Sequence, residues 1–162
     1  MNHYEIVRYD GGCNPEIAAF ILTIQRDDVG LNVPINEQPE LRNIAHAYRH
    51  GGFWLAISDG EIVGTVGVVR YGSSGILKKL FVRHDYRGRG GPSHCLHAKA
   101  VSWAQTLGLN AMYLDTPSVA TRSHGFYRRK GYQIVDRSEL PQEYAFPDRD
   151  SLIFKLDIAR SH

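Results

Sequence analysis

The stretch Arg87-Gly88-Arg89-Gly90-Gly91 constrains this chain most, because three glycines in four residues stand between a strand-like run and a helical pattern. Glycine lets the backbone turn tightly and aim successive N–H groups at one anion. The helix that follows adds the positive end of its dipole, and the two arginines add full charge. That combination is a cradle for a pyrophosphate, although a purely structural glycine turn is the alternative reading. A dinucleotide-binding fingerprint fits poorly, since the strands ahead of the loop read as hairpins and no acidic residue follows about 20 positions on. A P-loop fits worse, for want of the Gly-Lys-Ser/Thr ending.

Periodicity and turn signals place the remaining elements. His3 to Tyr9 reads as a strand ended by Asp10-Gly11-Gly12. Asn14 reads as an N-cap with Pro15 in the first helical position, ahead of Ile17, Phe20, Ile21 and Ile24 on one face. Leu41, Ile44, Ala45 and Tyr48 predict a second helix stopped by Gly51-Gly52. Phe53 to Ile57 and Glu61 to Tyr71 flank Asp59-Gly60, a strong hairpin signal, and Ile76 to Val82 adds a third antiparallel strand. A helix through Leu96, Ala100, Trp103, Ala104 and Leu107 closes at Gly108. Ala111 to Asp115 is a short strand, Val119 to Lys130 a helix, and Tyr132 to Val135 and Leu152 to Ile158 are the last strands. The expected fold is α+β in the order β-α-α-β-β-β-α-β-α-β-β, a mixed, mostly antiparallel sheet flanked by helices, as one domain over residues 1–162.

Charge is unevenly spread. Residues 1–69 carry −5, residues 70–130 carry +9, and residues 131–162 carry −2, so the middle of the chain suits an anionic partner or a solvated basic face. A pI near 8.6 without aromatic–basic interleaving on a strand face argues against nucleic acid. Apolar runs as short as Phe53–Ile57 argue against a membrane span, and the N-terminus lacks an export pattern, so a cytoplasmic location is expected. Cys13 and Cys95 form no CxxC pair and read as reduced.

Two motifs then carry a resemblance. Leu77-Lys78-Lys79-Leu80-Phe81-Val82, followed after four residues by Arg87 to Pro92, resembles the strand and Arg/Gln-x-x-Gly-x-Gly/Ala loop of the GNAT superfamily of acyl-CoA-dependent N-acetyltransferases. Phe126-Tyr127-Arg128-Arg129-Lys130-Gly131-Tyr132 resembles that family's terminal motif, and the element order agrees over nearly the whole chain. The resemblance implies acetyl-CoA as the acyl donor. The backbone of Leu80, Phe81 and Val82 would pair with its pantetheine arm like an added strand, and Arg87, Gly88, Arg89, Gly90, Gly91, Pro92 and Ser93 would hold its phosphates. Pro92 departs from the family's Gly or Ala and removes one N–H donor, which Ser93 partly replaces.

Attack of an amine on a thioester needs a neutral nucleophile, a place for the oxyanion and an acid near the leaving sulfur. The resemblance gives Tyr127 the part of acid. Asp115, twelve residues earlier, stands where some members place a carboxylate base. Its positive surroundings should keep it ionised, and capping of the helix near Ser118 is an equal alternative. Departures include Ala120 where relatives carry a cofactor-touching asparagine, with Thr121 or Ser123 as substitutes, and Ile76 where others carry a glutamate base; a water chain would then deprotonate the amine. His84, His94, His97 and His124 read as exposed or capping histidines, and no ligand cluster predicts a metal. The first two helices and the segment Gln142–Asp150 would receive the acceptor, with Asp27, Asp28, Glu37 and Glu40 able to attract a cationic amine. The expected activity is acetyl transfer to a primary amine, of a small molecule or of a protein. A homodimer and a non-catalytic acyl-CoA sensor remain the other readings.

Overall fold

The computed structural model describes residues 3–144 and 150–158. Seven strands form one sheet in the order β1-β2-β3-β4-β5-β7-β6. They are β1 Glu5–Arg8, β2 Gly52–Ser58, β3 Glu61–Tyr71, β4 Ser74–Val82, β5 Ala111–Pro117, β6 Gln133–Val135 and β7 Ser151–Asp157. The helices are α1 Asn14–Ile24, α2 Ile44–Ala47, α3 Pro92–Thr106 and α4 Thr121–Arg129. This is the expected α+β order. The β1–β2, β2–β3, β5–β7 and β6–β7 ladders are antiparallel, and β4 pairs with β5 in parallel through Ser74–Ile76.

The chain divides into two compact units, residues 1–69 with 78–100 and residues 70–77 with 101–162. In the first, Gly64 and Gly67 lie three apart on β3 and so face opposite sides of the sheet. A Cβ on Gly64 would come 2.8 Å from Leu96 of α3, and one on Gly67 would come 2.5 Å from the Tyr48 ring. Helical elements therefore press close on both faces, which is why β2 is buried along almost its whole length and β3 over Val63–Val68. Ile17, Ile21, Leu41, Ile44, Tyr48, Phe53 and Leu55 form the core on the Tyr48 side. In the second unit, Ile76, Ala111 and Tyr113 pack with Tyr71, Val135, Leu140 and Tyr144.

Local patterns misplace several details. Cys13, with a left-handed φ of 38°, is the cap of α1, and Asn14 is its first residue. The Asn14 amide instead donates to the Leu41 carbonyl at 2.8 Å, and its oxygen accepts from the Ile44 amide at 2.8 Å, tying α1 to the next element. The second expected helix is broken: Pro39–Arg42 is a 3₁₀ turn, Asn43 is extended at φ −150°, and α2 is one turn capped by the Asn43 side chain. Ala45, expected on the apolar face, is exposed. Helix α1 continues as a π-helical turn over Gln25–Val29 that ends at Gly30. Helix α3 stops at Thr106, leaving Leu107 exposed, and α4 starts only at Thr121 because Ala120 closes a turn onto the Pro117 carbonyl. Among the described residues no helix is long and apolar enough to cross a membrane.

Candidate active site

In the first unit the glycine loop has the geometry its composition demands. Gly88 and Gly90 have φ of 107° and 80°, a region that side chains disfavour. A Cβ on Gly91 would lie 2.3 Å from the Tyr86 carbonyl and 3.0 Å from that of Gly88, so only glycine fits. The Gly91 amide closes the turn onto the Gly88 carbonyl at 3.0 Å, and the Tyr4 hydroxyl pins the loop by donating to the Gly90 carbonyl at 3.1 Å. The hydrogen bond with the Cys95 thiol, and then burial, push the Tyr4 phenol up to about 12. Pro92 opens α3, whose fifteen residues leave first-turn amides without intrahelical acceptors, and Ser93 is half-buried there.

The two arginines differ. Arg89 is exposed, whereas the Arg87 guanidinium meets the Asp28 carboxylate at 2.6 Å and donates to the Val82 carbonyl at 3.2 Å. Two of the acids expected to attract an amine are thus paired locally, Asp28 with Arg87 and the exposed Asp27 with Arg26.

Strand β4 changes character just before the expected pantetheine edge. Lys79 is left-handed at φ 58°, a strain of about 1–3 kcal/mol for a residue with a side chain. The Thr65 hydroxyl holds this kink by donating to the Lys79 carbonyl at 2.7 Å. Leu80 and Phe81 follow half-buried, Phe81 against the first unit's core, and Val82 is buried. The Lys79 ammonium donates to the Gln38 side-chain oxygen and lies 3.4 Å from the Glu40 carboxylate. The motif that contains Lys79 gave no sign of its partners, and nothing marked Gln38 or Thr65; a lysine within a strand gives no local sign that its φ is positive.

In the second unit Tyr127 is 8% exposed on α4. Its ring stacks edge-on with Phe126 and Tyr132 at 5.4 and 5.3 Å between centroids, and tilts over Phe154 at 5.9 Å. Its hydroxyl makes no hydrogen bond among the described residues. Burial, with a smaller push from the negative Asp115, drives the phenol's pKa well above its ordinary value. The phenol therefore stays protonated at neutral pH.

Asp115, half-buried on β5, accepts from the Tyr144 hydroxyl at 2.8 Å. It does not cap α4, as one reading allowed; Ser118 instead donates to Asp150 at 2.7 Å. The Asp115 charge reaches Tyr127 far enough to add to the rise of that phenol's pKa. Ala120 precedes α4, Thr121 is exposed and Ser123 half-buried. His84 and His94 are exposed, but His97 and His124 are buried, contrary to expectation, and the His124 Nε2 lies 2.9 Å from the Pro117 carbonyl. Of the expected acceptor segment Gln142–Asp150, residues 145–149 lie outside the described residues. Among those described, no group of three potential ligands could hold a metal.

Comparison with known proteins bears on the family and the fold. The family model described as acetyltransferase (GNAT) family matches residues 18–132. The chain belongs to that family, whose members are acyltransferases. A crystal structure of an acetyltransferase of the GNAT family from Staphylococcus aureus Mu50 superimposes with a TM-score of 0.90 at 29% identity, covering 97% of this chain and 100% of that one. Among curated relatives, a probable N-acetyltransferase camello from Xenopus tropicalis is 32% identical over 85 residues, 50% of this chain and 38% of that protein. The human N-acetylaspartate synthetase is 28% identical over 88 residues, 54% of this chain and 29% of its own. The chain thus matches little more than a third, at most, of the length of these curated relatives.

Proposed function

We propose that the protein transfers the acetyl group of acetyl-CoA to a primary amine of a small molecule, by direct attack within a ternary complex. The observation that carries this reading is the Arg87–Ser93 loop, where two left-handed glycines and a third with no room for a Cβ lead straight into a fifteen-residue helix. Such a cradle fits a pyrophosphate, and the family uses acetyl-CoA. Arg89 adds an exposed charge to it, and Arg87 braces it through Asp28.

In the reaction the amine nitrogen bonds to the thioester carbonyl carbon and the carbon–sulfur bond breaks, leaving a thiolate. Tyr127 gives that thiolate its proton. The proton lost by the amine returns to the phenolate, through Asp115 or water, so that one amide and one thiol are formed. Burial keeps the phenol neutral before the bond breaks, while its raised pKa opposes the transfer, so the proton passes to sulfur only as the thiolate forms against its oxygen.

The test is a panel of primary amines assayed for CoA thiol release, beside thermal melts with acetyl-CoA, desulfo-CoA and NAD. Both CoA ligands should raise Tm, by an amount equivalent to about 2.7 kcal/mol at a hundredfold excess over Kd, and NAD should not. Release of thiol that depends on an amine supports the transferase. A Tm shift with CoA and no turnover of any amine would favour the non-catalytic sensor, the reading that Pro92 and Ala120 keep open.

A further inference from the structure

The Lys79–Glu40 pair is built from parts that folding alone would not choose. Lys79 stands in a strained left-handed conformation, and the Thr65 hydroxyl holds its carbonyl. Its ammonium rests on Gln38, which is 3% exposed. Gln38 and Gln25 exchange reciprocal side-chain hydrogen bonds of 2.8 and 2.9 Å, and Gln38 also donates to the Val33 carbonyl at 3.2 Å. Gln25, itself buried, enters this network from the π-helical turn, a rare conformation that concentrates at functional sites.

Glu40 completes the cluster at 3.4 Å from the lysine, longer than a tight charge-assisted contact, and both side chains are largely shielded, at 12% and 23% exposure. Beside it the Tyr48 hydroxyl is buried with no partner, and the Glu40 charge helps to raise that phenol's pKa. A buried hydroxyl without a partner costs stability, and an ion pair this shielded gains little over its desolvation.

We infer that Lys79 and Glu40 form the receptor for a zwitterionic acceptor, an α-amino acid or a close analogue, with its carboxylate at Lys79 and its ammonium at Glu40, the ammonium passing one proton to solvent water before the neutral amine attacks. This rests on the transferase reading above and names the acceptor class. A simple cationic amine would draw on Glu40 while facing the Lys79 charge, and a simple anion carries no nucleophile. A zwitterion matches both charges of the pair and leaves the site neutral. The buried Gln25–Gln38 pair fixes the lysine so that its ammonium is presented in one place. Lys79 also directly precedes Leu80, the first residue of the expected pantetheine edge.

The test is calorimetric titration of the full chain, saturated with desulfo-CoA, with the common L-α-amino acids and the α-carboxamide of each. At least one amino acid should bind about 10–100-fold more tightly than its amide, the span of one charge-assisted hydrogen bond. Lys79→Met should bring that ratio close to one, and Lys79→Arg should keep part of it. Should Lys79→Met fail to fold, Glu40→Gln provides the second arm: it should weaken amino acid and amide alike, since both carry the ammonium, and keep their ratio. Wild-type protein that binds no amino acid more tightly than its amide overturns the inference, as does a ratio that survives Lys79→Met. Thiol release from amines without preference for a carboxylate would sink the receptor and leave the transferase standing; carboxylate-selective binding without turnover would do the reverse.

Discussion

The two units treat polarity in opposite ways. The first draws charge and amides inward, with Gln25, Gln38, Thr65 and Lys79 joined in a network and Arg87 paired to Asp28. The second surrounds the Tyr127 phenol with Phe126, Tyr132 and Phe154, and the Asp115 charge acts on it. Binding a highly charged ligand calls for many fixed donors, each contributing modestly. Moving one proton calls for one group in a dry place with its pKa displaced. Under the proposed function, binding falls to the first unit and proton transfer to the second.

The largest effect expected from breaking this contrast lies at Tyr127. Tyr127→Phe keeps the ring packing but removes the proton, so kcat should fall roughly 10²–10⁴-fold, the span of a general acid. Steady-state kinetics should show kcat and kcat/KM falling together, the mark of an interaction made in the transition state. Next comes the loop. Gly91→Ala places a Cβ against the Tyr86 carbonyl, and Arg89→Ala removes an exposed cation. Each should weaken CoA binding by about 10–100-fold in calorimetry, the former with a lower Tm and the latter without.

A pH effect of intermediate size follows from the phenols. Tyr48, Tyr127 and Tyr132 all have pKa values raised by burial. The folded state therefore holds these protons more tightly than the unfolded chain, whose phenols ionise near pH 10. Their contribution is complete below about pH 10 and is lost as the pH climbs toward the folded values, at up to about 1.4 kcal/mol per pH unit for each phenol. Urea midpoints taken from about pH 9 to about pH 11 should fall, and the slope should lessen by one proton in Tyr127→Phe. The smallest effect is at Tyr48, whose hydroxyl is buried without a partner. Tyr48→Phe should leave stability unchanged or raise it by up to about 1–2 kcal/mol, because a desolvation penalty disappears with the oxygen. A marked loss of stability in denaturant titration would show that the hydroxyl has a partner after all.

Element order and the loop were legible because their signals are local. Glycine at Gly88, Gly90 and Gly91 is dictated by the loop's own backbone, and the strand at Glu61–Tyr71 by the Asp59-Gly60 hairpin. The errors fall where a side chain's partner is distant in sequence. Asn14 has the form of a helix cap, yet its amide is drawn to Leu41 and Ile44, nearly thirty residues away. Leu41, Ile44 and Tyr48 keep helical spacing although Asn43 breaks the helix between them, since a 3₁₀ turn and a short helix can bury the same face. Asp115 reads equally as a base or a cap until Tyr144 is brought to it, and Arg87 reads as a free cation until Asp28 is. Lys79 was invisible for the same reason: its strain is held by Thr65 across the sheet.

The division of labour between the units is tested most directly by measuring CoA affinity and kcat in the same preparations of wild type, Arg89→Ala and Tyr127→Phe, with the best amine from the panel. Arg89→Ala should raise the Kd for CoA about tenfold or more while kcat at saturation stays within about twofold of wild type. Tyr127→Phe should leave Kd within about twofold and cut kcat at least a hundredfold. If Tyr127→Phe weakens CoA binding as much as it slows turnover, or retains full turnover, the phenol is not the proton donor and the assignment of chemistry to the second unit is contradicted.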